Sequence, residues 1–167
     1  MIGHYNMHNS SFGSSIPVVT GCDLLVAGGG MAGISAAVSG AREGAETILV
    51  ERLEMLGGLG ASGCVGNFCS GEGGLCGQGK MFDDIIELLR EHGAAGPENG
   101  WPHRTNPDLN TENMRFDYNY LPLVLQEIAR DSGVKLLYAT DVVGVERDGT
   151  RITHAVIHNR SLLQKIS

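Results

Sequence analysis

Apolar residues in this chain follow two kinds of spacing. Cys22-Asp-Leu-Leu-Val-Ala27 is a short apolar run that ends at glycines, the pattern of a strand buried on both faces. From Met31 to Glu43, Ala, Ile and Val recur at helical spacing, and Gly44 supplies the stop. Thr47-Ile-Leu-Val-Glu51 reads as a second buried strand, so this stretch predicts a β-α-β unit of the ~30 residues such a unit needs. Gly57 to Gly79 is glycine-dense and mostly loop. Lys80 to His92 places Met81, Phe82, Ile85, Ile86, Leu88 and Leu89 on one helical face, with Gly93 as its stop. Residues 94–115 are polar, carry Pro97, Pro102 and Pro107, and predict an excursion without a core of its own.

The pattern turns regular again after Arg115. A helix runs to Ser132, capped by Asp117 or starting later at Pro122, since proline suits only a first turn. Val134–Tyr138 is a third strand, and Asp141–Arg147 with Arg151–Arg160 predicts an antiparallel hairpin across Asp148-Gly149. No internal repeat is visible. The order implies an α/β fold with a parallel sheet.

Composition narrows the function classes. The chain has 167 residues, 42% hydrophobic and 19% charged, enough to bury a core. A net charge of −7 argues against a general nucleic-acid binder, which needs a basic face for phosphates. Twenty-five glycines are roughly twice the usual share of ~7%, so the backbone comes close to itself or to a ligand. Four cysteines at uneven spacing do not make a disulfide scaffold. Met1–Thr20 lacks a basic region and an apolar stretch, so residues 1–20 read as a flexible leader and not as a targeting signal. Leu24–Ala41 is uncharged and holds a GxxxG pair, but its glycines and serines make it a poor membrane span. The expectation is a cytoplasmic protein with residues 21–167 as one domain.

Gly28-Gly29-Gly30-Met31-Ala32-Gly33 fits G-x-G-x-x-G with a strand before it, a helix after it and a second strand ending in an acid. Gly28 allows a tight turn, Gly30 the close approach of a pyrophosphate, and Gly33 the packing of helix on strand. The helix N-terminus offers free N–H groups and a positive dipole end to phosphates. Glu51 can accept hydrogen bonds from both ribose hydroxyls and would repel the 2′-phosphate of NADP.

With Asp23 to Ala37, Val50-Glu-Arg52, Leu56-Gly-Gly58, Gly63-Cys-Val-Gly66, Phe116-Asp117 to Gly133-Val134 and Thr140-Asp-Val142, the chain resembles a family of FAD-dependent oxidoreductases. These belong to the glutathione-reductase-like flavoprotein superfamily, and the resemblance is nearest its fumarate-reductase-type branch. It implies a Rossmann-like FAD/NAD(P)-binding fold with a parallel sheet and a β-meander hairpin, and FAD as cofactor. It places Gly28, Gly30 and Gly33 along the pyrophosphate, Glu51 on the adenosine ribose and Arg52 beside the adenine or ribose. Gly57 and Gly58 then pass the diphosphate, Ala61, Ser62 and Gly63 pass the ribityl chain or flavin ring, and the Val142 backbone meets the adenine edge.

Within that family the chain would end where a third meander strand begins, before a fourth parallel strand and a substrate domain. The sheet would then have three parallel strands and an open edge. The resemblance therefore implies the FAD-binding N-terminal part of an enzyme that moves a hydride between flavin N5 and a small organic substrate, with little turnover of its own. Alternatives are a small nucleotide-binding subunit completed by a partner chain or homo-oligomer, and an NAD-binding domain. Cys64 and Cys69 have the Cys-x4-Cys spacing of a flavin-linked redox disulfide, but in a different register and without the neighbouring Pro-Ser-Lys of that pattern. The gaps among Cys64, Cys69 and Cys76 fit no zinc pattern. His103 and Arg104 read as loop residues, and His154 and His158 share a strand face without a third ligand. No residue is assigned as a catalytic acid or base.

Overall fold

The computed structural model describes residues 16–69, 80–95, 104–106, 111–160 and 162–167. Three strands form the centre: β2 (Leu24–Ala27), β3 (Thr47–Val50) and β7 (Lys135–Leu137), all parallel in the order β2-β3-β7. All four residues of β3 are buried, as a central strand requires. Their alternation sorts them into two cores. Leu49 faces one way with Val26 and Leu136, whereas Ile48 and Val50 face the other with Leu25 and Leu137.

The first face is covered by α1 (Met31–Arg42) and α3 (Leu121–Asp131), with α2 (Lys80–Glu91) packed against α3. Ile34, Val38, Leu89, Leu121, Leu125 and Phe116 close this core with no exposed surface to speak of. An Arg42–Asp84 ion pair at 2.7 Å links the last residue of α1 to the N-terminal half of α2. Of the two starts open for α3, the helix takes the later one. Pro122 sits in its first turn, while Asp117 Oδ1 accepts the Asn119 N–H at 2.9 Å in the turn ahead of it.

The second face is covered by a four-stranded sheet. β8 (Thr140–Asp148) and β9 (Arg151–Asn159) form the expected hairpin, turning through Gly149 at φ +59°. Next to β9 lies β10 (Leu163–Ile166), antiparallel, and β10 in turn pairs in parallel with β1 (Val18–Thr20). Ile157 and Ile166 from this layer pack on Ile48 and Val50.

Three departures from the sequence reading follow. The expected leader 1–20 is not all free chain, because Val18–Thr20 finds a partner in β10. Leu163–Ile166, where the third meander strand is expected only to begin, is already paired as a strand along β9. The excursion 94–115 carries structure as well. β5 (Arg104–Asn106) and β6 (Thr111–Arg115) join β4 (Asn67–Cys69) in an antiparallel sheet of order β4-β6-β5. Phe68 of β4 anchors that sheet, with ring centroids 4.5 Å from Phe116 and 5.3 Å from Phe82. Ala94 and Ala95, at the start of the excursion, are buried in the helix-side core.

Candidate functional site

The chain leaves β2 through Gly28, whose φ of +103° only glycine adopts without strain and whose N–H donates to the Val50 carbonyl at 2.7 Å. It then turns into α1 at Gly30. Gly33 is required by packing, since a β-carbon there would collide with the Gly28 carbonyl oxygen and lie 3.0 Å from its carbon. Gly30 is different. A β-carbon at Gly30 would meet nothing within 4 Å, and its φ of −68° suits any residue. The first turn of α1 has no side-chain cap and no acidic residue. The first intrahelical bond runs from the Ile34 N–H to the Gly30 carbonyl, leaving the N–H groups of Met31, Ala32 and Gly33 without helical acceptors. Uncapped donors and the positive end of the helix dipole beside open space form an anion-binding corner.

Glu51 follows β3 directly and is buried, with 7% of its surface exposed. Its Oε2 accepts the Gly29 N–H at 2.6 Å and its Oε1 accepts the Leu53 N–H at 2.7 Å. Its charge, after burial, contributes to pushing the Tyr138 phenol above its ordinary value. Gly57 and Gly58 come next, at φ +105° and +50°. The Gly57 N–H donates to the Gly29 carbonyl at 2.8 Å, and a β-carbon on Gly58 would stand 3.1 Å from the Gly30 Cα. The two glycine segments therefore touch backbone to backbone. Gly58–Gly60 makes one 3-10 turn, and the Ser62 hydroxyl donates to the Gly58 carbonyl at 2.9 Å.

These pieces border a cavity of about 490 Å³ at the carboxyl ends of β2 and β3 and the start of β8, where ligands bind in open α/β sheets. Of the residues singled out in the sequence, Gly28, Glu51, Arg52, Gly58, Ser62, Gly63 and Val142 line it. Gly30, Met31, Ala32, Gly33 and Gly57 build the adjoining turn without lining the cavity, and Met31 packs on the helix-side core. Ala61 is buried beneath the 3-10 turn, where it crowds Gly57.

Sequence reasoning passed over Ala27, Leu53, Leu59, Thr140 and Asp141, which also line the cavity, and Gly29, which shapes it. A β-carbon at Gly29 would stand 2.5 Å from Leu56 Cδ2 and 3.1 Å from Glu51 Oε2, a constraint that the spacing motif does not carry. A second cavity of about 540 Å³ shares Arg52, Leu53, Ser62 and Asp141 with the first and extends it towards His158 and Arg160. Arg160 is ion-paired with Glu54 at its edge.

The remaining candidates lie apart. Cys64 is an exposed free thiol at φ +57°, just past the cavity wall at Gly63. Cys69 ends β4, and Cys76 and His103 lie outside the described residues, as does everything but the backbone of Arg104. Cys22 is half-buried at the foot of β2, and burial first, then Asp23 and Glu46, push its thiol up. On β9, His154 lies 3.4 Å from Glu146, and His158 stands opposite Asp141. Among the described residues no three His, Cys, Asp or Glu side chains come together as a metal site, and no helix is long and apolar enough to cross a membrane.

A β-α-β unit with an uncapped helix N-terminus, an acid ending the second strand and a meander behind the sheet define a Rossmann-like domain of the dinucleotide-binding kind. The chain belongs to the FAD dependent oxidoreductase family, which it matches over residues 23–167, and FAD is its cofactor. Comparison with curated proteins gives no match. Among solved structures it is similar to the flavin-dependent monooxygenase PieE, determined with FAD and substrate, at 18% identity and TM-score 0.62, over 90% of this chain and 29% of that one. It is also similar to 3-ketosteroid-delta4-(5alpha)-dehydrogenase from Rhodococcus jostii RHA1, at 18% identity and TM-score 0.58, over 92% and 45%. A geranylgeranyl bacteriochlorophyll reductase-like protein from Thermoplasma acidophilum gives 18% identity and TM-score 0.57, over 89% and 38%. At such identities the likeness is one of fold, and the chain spans less than half the length of each of these three proteins.

Proposed function

We propose that this chain is the FAD-holding part of a flavin-dependent oxidoreductase, with its substrate-handling residues supplied from outside these 167 positions. The observation that carries the reading is Gly30. The fold has no need of a glycine there, yet the position faces open space at an uncapped helix N-terminus, as a cradle for a diphosphate requires. In this reading the N–H groups of Met31, Ala32 and Gly33 bind the diphosphate, Glu51 takes the ribose hydroxyls, and Arg52 and the Val142 backbone border the adenine. Gly58, Ser62 and Gly63 lead the rest of the cofactor along the cavity wall. When bound, FAD supplies the two-electron hydride chemistry.

The glycine fingerprint with Glu51-Arg52 and Leu56-Gly-Gly58 favours the glutathione-reductase-like superfamily, and the wider resemblance of the chain favours its fumarate-reductase-type branch. The substrate is then a small organic molecule, and a partner chain or a second copy completes the site where the polypeptide itself does not. The test is a flavin fluorescence titration. FAD binds, and FMN, which lacks the adenosine, binds at least about 100-fold more weakly. Equal affinities would remove the adenosine end from the site.

A further inference from the structure

We propose that Glu51 is a positioning residue for the phosphate loop, holding Gly28–Met31 in its binding shape before any cofactor arrives. The inference rests on the reading that this loop receives the FAD diphosphate, and it gives Glu51 a task separate from the ribose.

Burying a carboxylate is costly unless charged or polar partners replace its water. Glu51 is buried, and the two backbone donors it engages come from different segments: Gly29 in the phosphate loop at 2.6 Å and Leu53 in the following turn at 2.7 Å. Hydrogen bonds to an ionised acceptor are the strong class. Glycine keeps this approach uncrowded, because a β-carbon at position 29 would stand 3.1 Å from Oε2 and 2.5 Å from Leu56 Cδ2. The same residue is gripped through its next peptide group as well, where the Gly29 carbonyl accepts the Gly57 N–H at 2.8 Å. The Leu53 carbonyl, in turn, accepts the Ala139 N–H at 3.1 Å at the entry to β8. One carboxylate thus ties the phosphate loop to the turn that meets β8, and Gly29 ties that loop to the second glycine segment.

Each carboxylate oxygen has about two acceptor positions. The backbone uses one on each, which leaves one on each for a ribose hydroxyl. Clamping and ribose binding are therefore compatible.

Glu51→Gln separates the two tasks, since the amide –NH2 must face one of the backbone donors. Inorganic pyrophosphate, which has no ribose, is the probe. In the cofactor-free wild-type protein the Gly29 and Leu53 amides exchange as slowly as sheet amides. In Glu51→Gln at least one of the two, the amide left facing the –NH2, exchanges roughly 10- to 100-fold faster while Leu49 in β3 changes several-fold less, and pyrophosphate affinity falls by a similar factor. Fast exchange at either amide in the free wild-type protein overturns the proposal. So does a variant that loses FAD affinity but keeps pyrophosphate affinity, which would confine Glu51 to the ribose. Where the variant does not fold, or pyrophosphate binds too weakly to titrate, wild-type exchange decides alone. Protected amides in a protein that binds no FAD would sink the cofactor reading and leave the clamp standing.

Discussion

Gly30 and Gly33 sit three residues apart in one motif, and the structure assigns them opposite duties. In Gly33→Ala the new methyl overlaps the Gly28 carbonyl oxygen, an approach that real side chains do not make, and lies only 3.0 Å from the carbonyl carbon. The obstacle is backbone, so relief requires α1 to move off the end of β2. Overpacking of this kind costs about 1–3 kcal/mol. Near the upper end, with a shift of about 2–4 °C per kcal/mol for a chain of this size, the melting midpoint falls by roughly 6–12 °C. In Gly30→Ala the methyl enters open space at an allowed φ, so only the N-cap preference for glycine over alanine is lost and the midpoint of the cofactor-free protein falls by no more than about 4 °C. The same methyl occupies the space proposed for the diphosphate, and FAD affinity drops at least about tenfold. Thermal melts of both cofactor-free variants, paired with flavin fluorescence titrations, make the comparison. A Gly33→Ala protein that melts like wild type would refute the packing argument, and a Gly30→Ala protein that binds FAD undiminished would refute the cradle.

Other outcomes follow from the same geometry. In a Cys69→Ser/Cys76→Ser background, iodoacetamide at pH 7 modifies exposed Cys64 at least about tenfold faster than Cys22, whose burial holds down its thiolate fraction; equal rates contradict that environment. Phe116→Ala empties the contact between Phe68 and the helix-side core and costs about 3–5 kcal/mol in urea unfolding. A loss under about 1 kcal/mol would mean that the β4-β6-β5 sheet is not anchored there. Burial, then the Glu51 charge, raises the Tyr138 phenol above its ordinary 10.0. The unfolded chain therefore loses this proton first, and the stability it contributes is full below pH 10.0 and is lost as pH climbs towards the folded value. Tyr138→Phe lessens the alkaline decline in stability, and identical wild-type and variant slopes would discount the shift.

The elements legible in the sequence are those whose apolar pattern is self-sufficient. β2, α1, β3 and α2 lie within two residues of their expected bounds, because buried runs and helical faces show themselves without a partner. β5 and β6 were invisible for the converse reason. Arg104-Thr-Asn106 and Thr111-Glu-Asn-Met-Arg115 carry no apolar alternation and become strands only by pairing with each other and with β4. β1 and β10 are similarly mutual. Lys165, buried in β10 and paired with Glu146 at 2.6 Å, disguises that strand's inward positions.

At the site, the motif identified the glycines that bound the loop but not Gly29, whose constraint comes from Leu56 and Glu51 across space. From the motif alone, Glu51 is a ribose ligand and nothing more. Its partner Gly29, 22 residues away, belongs to tertiary structure, while Leu53, 2 residues on, belongs to the local turn.

The central claim is that these residues hold FAD through its adenosine diphosphate. Equilibrium dialysis of the purified 167-residue protein against FAD, read by the flavin visible band with NAD as competitor, tests it most directly. The account predicts saturable binding of one FAD per chain that excess NAD barely displaces. A colourless retentate, or displacement by NAD at comparable concentration, would contradict it.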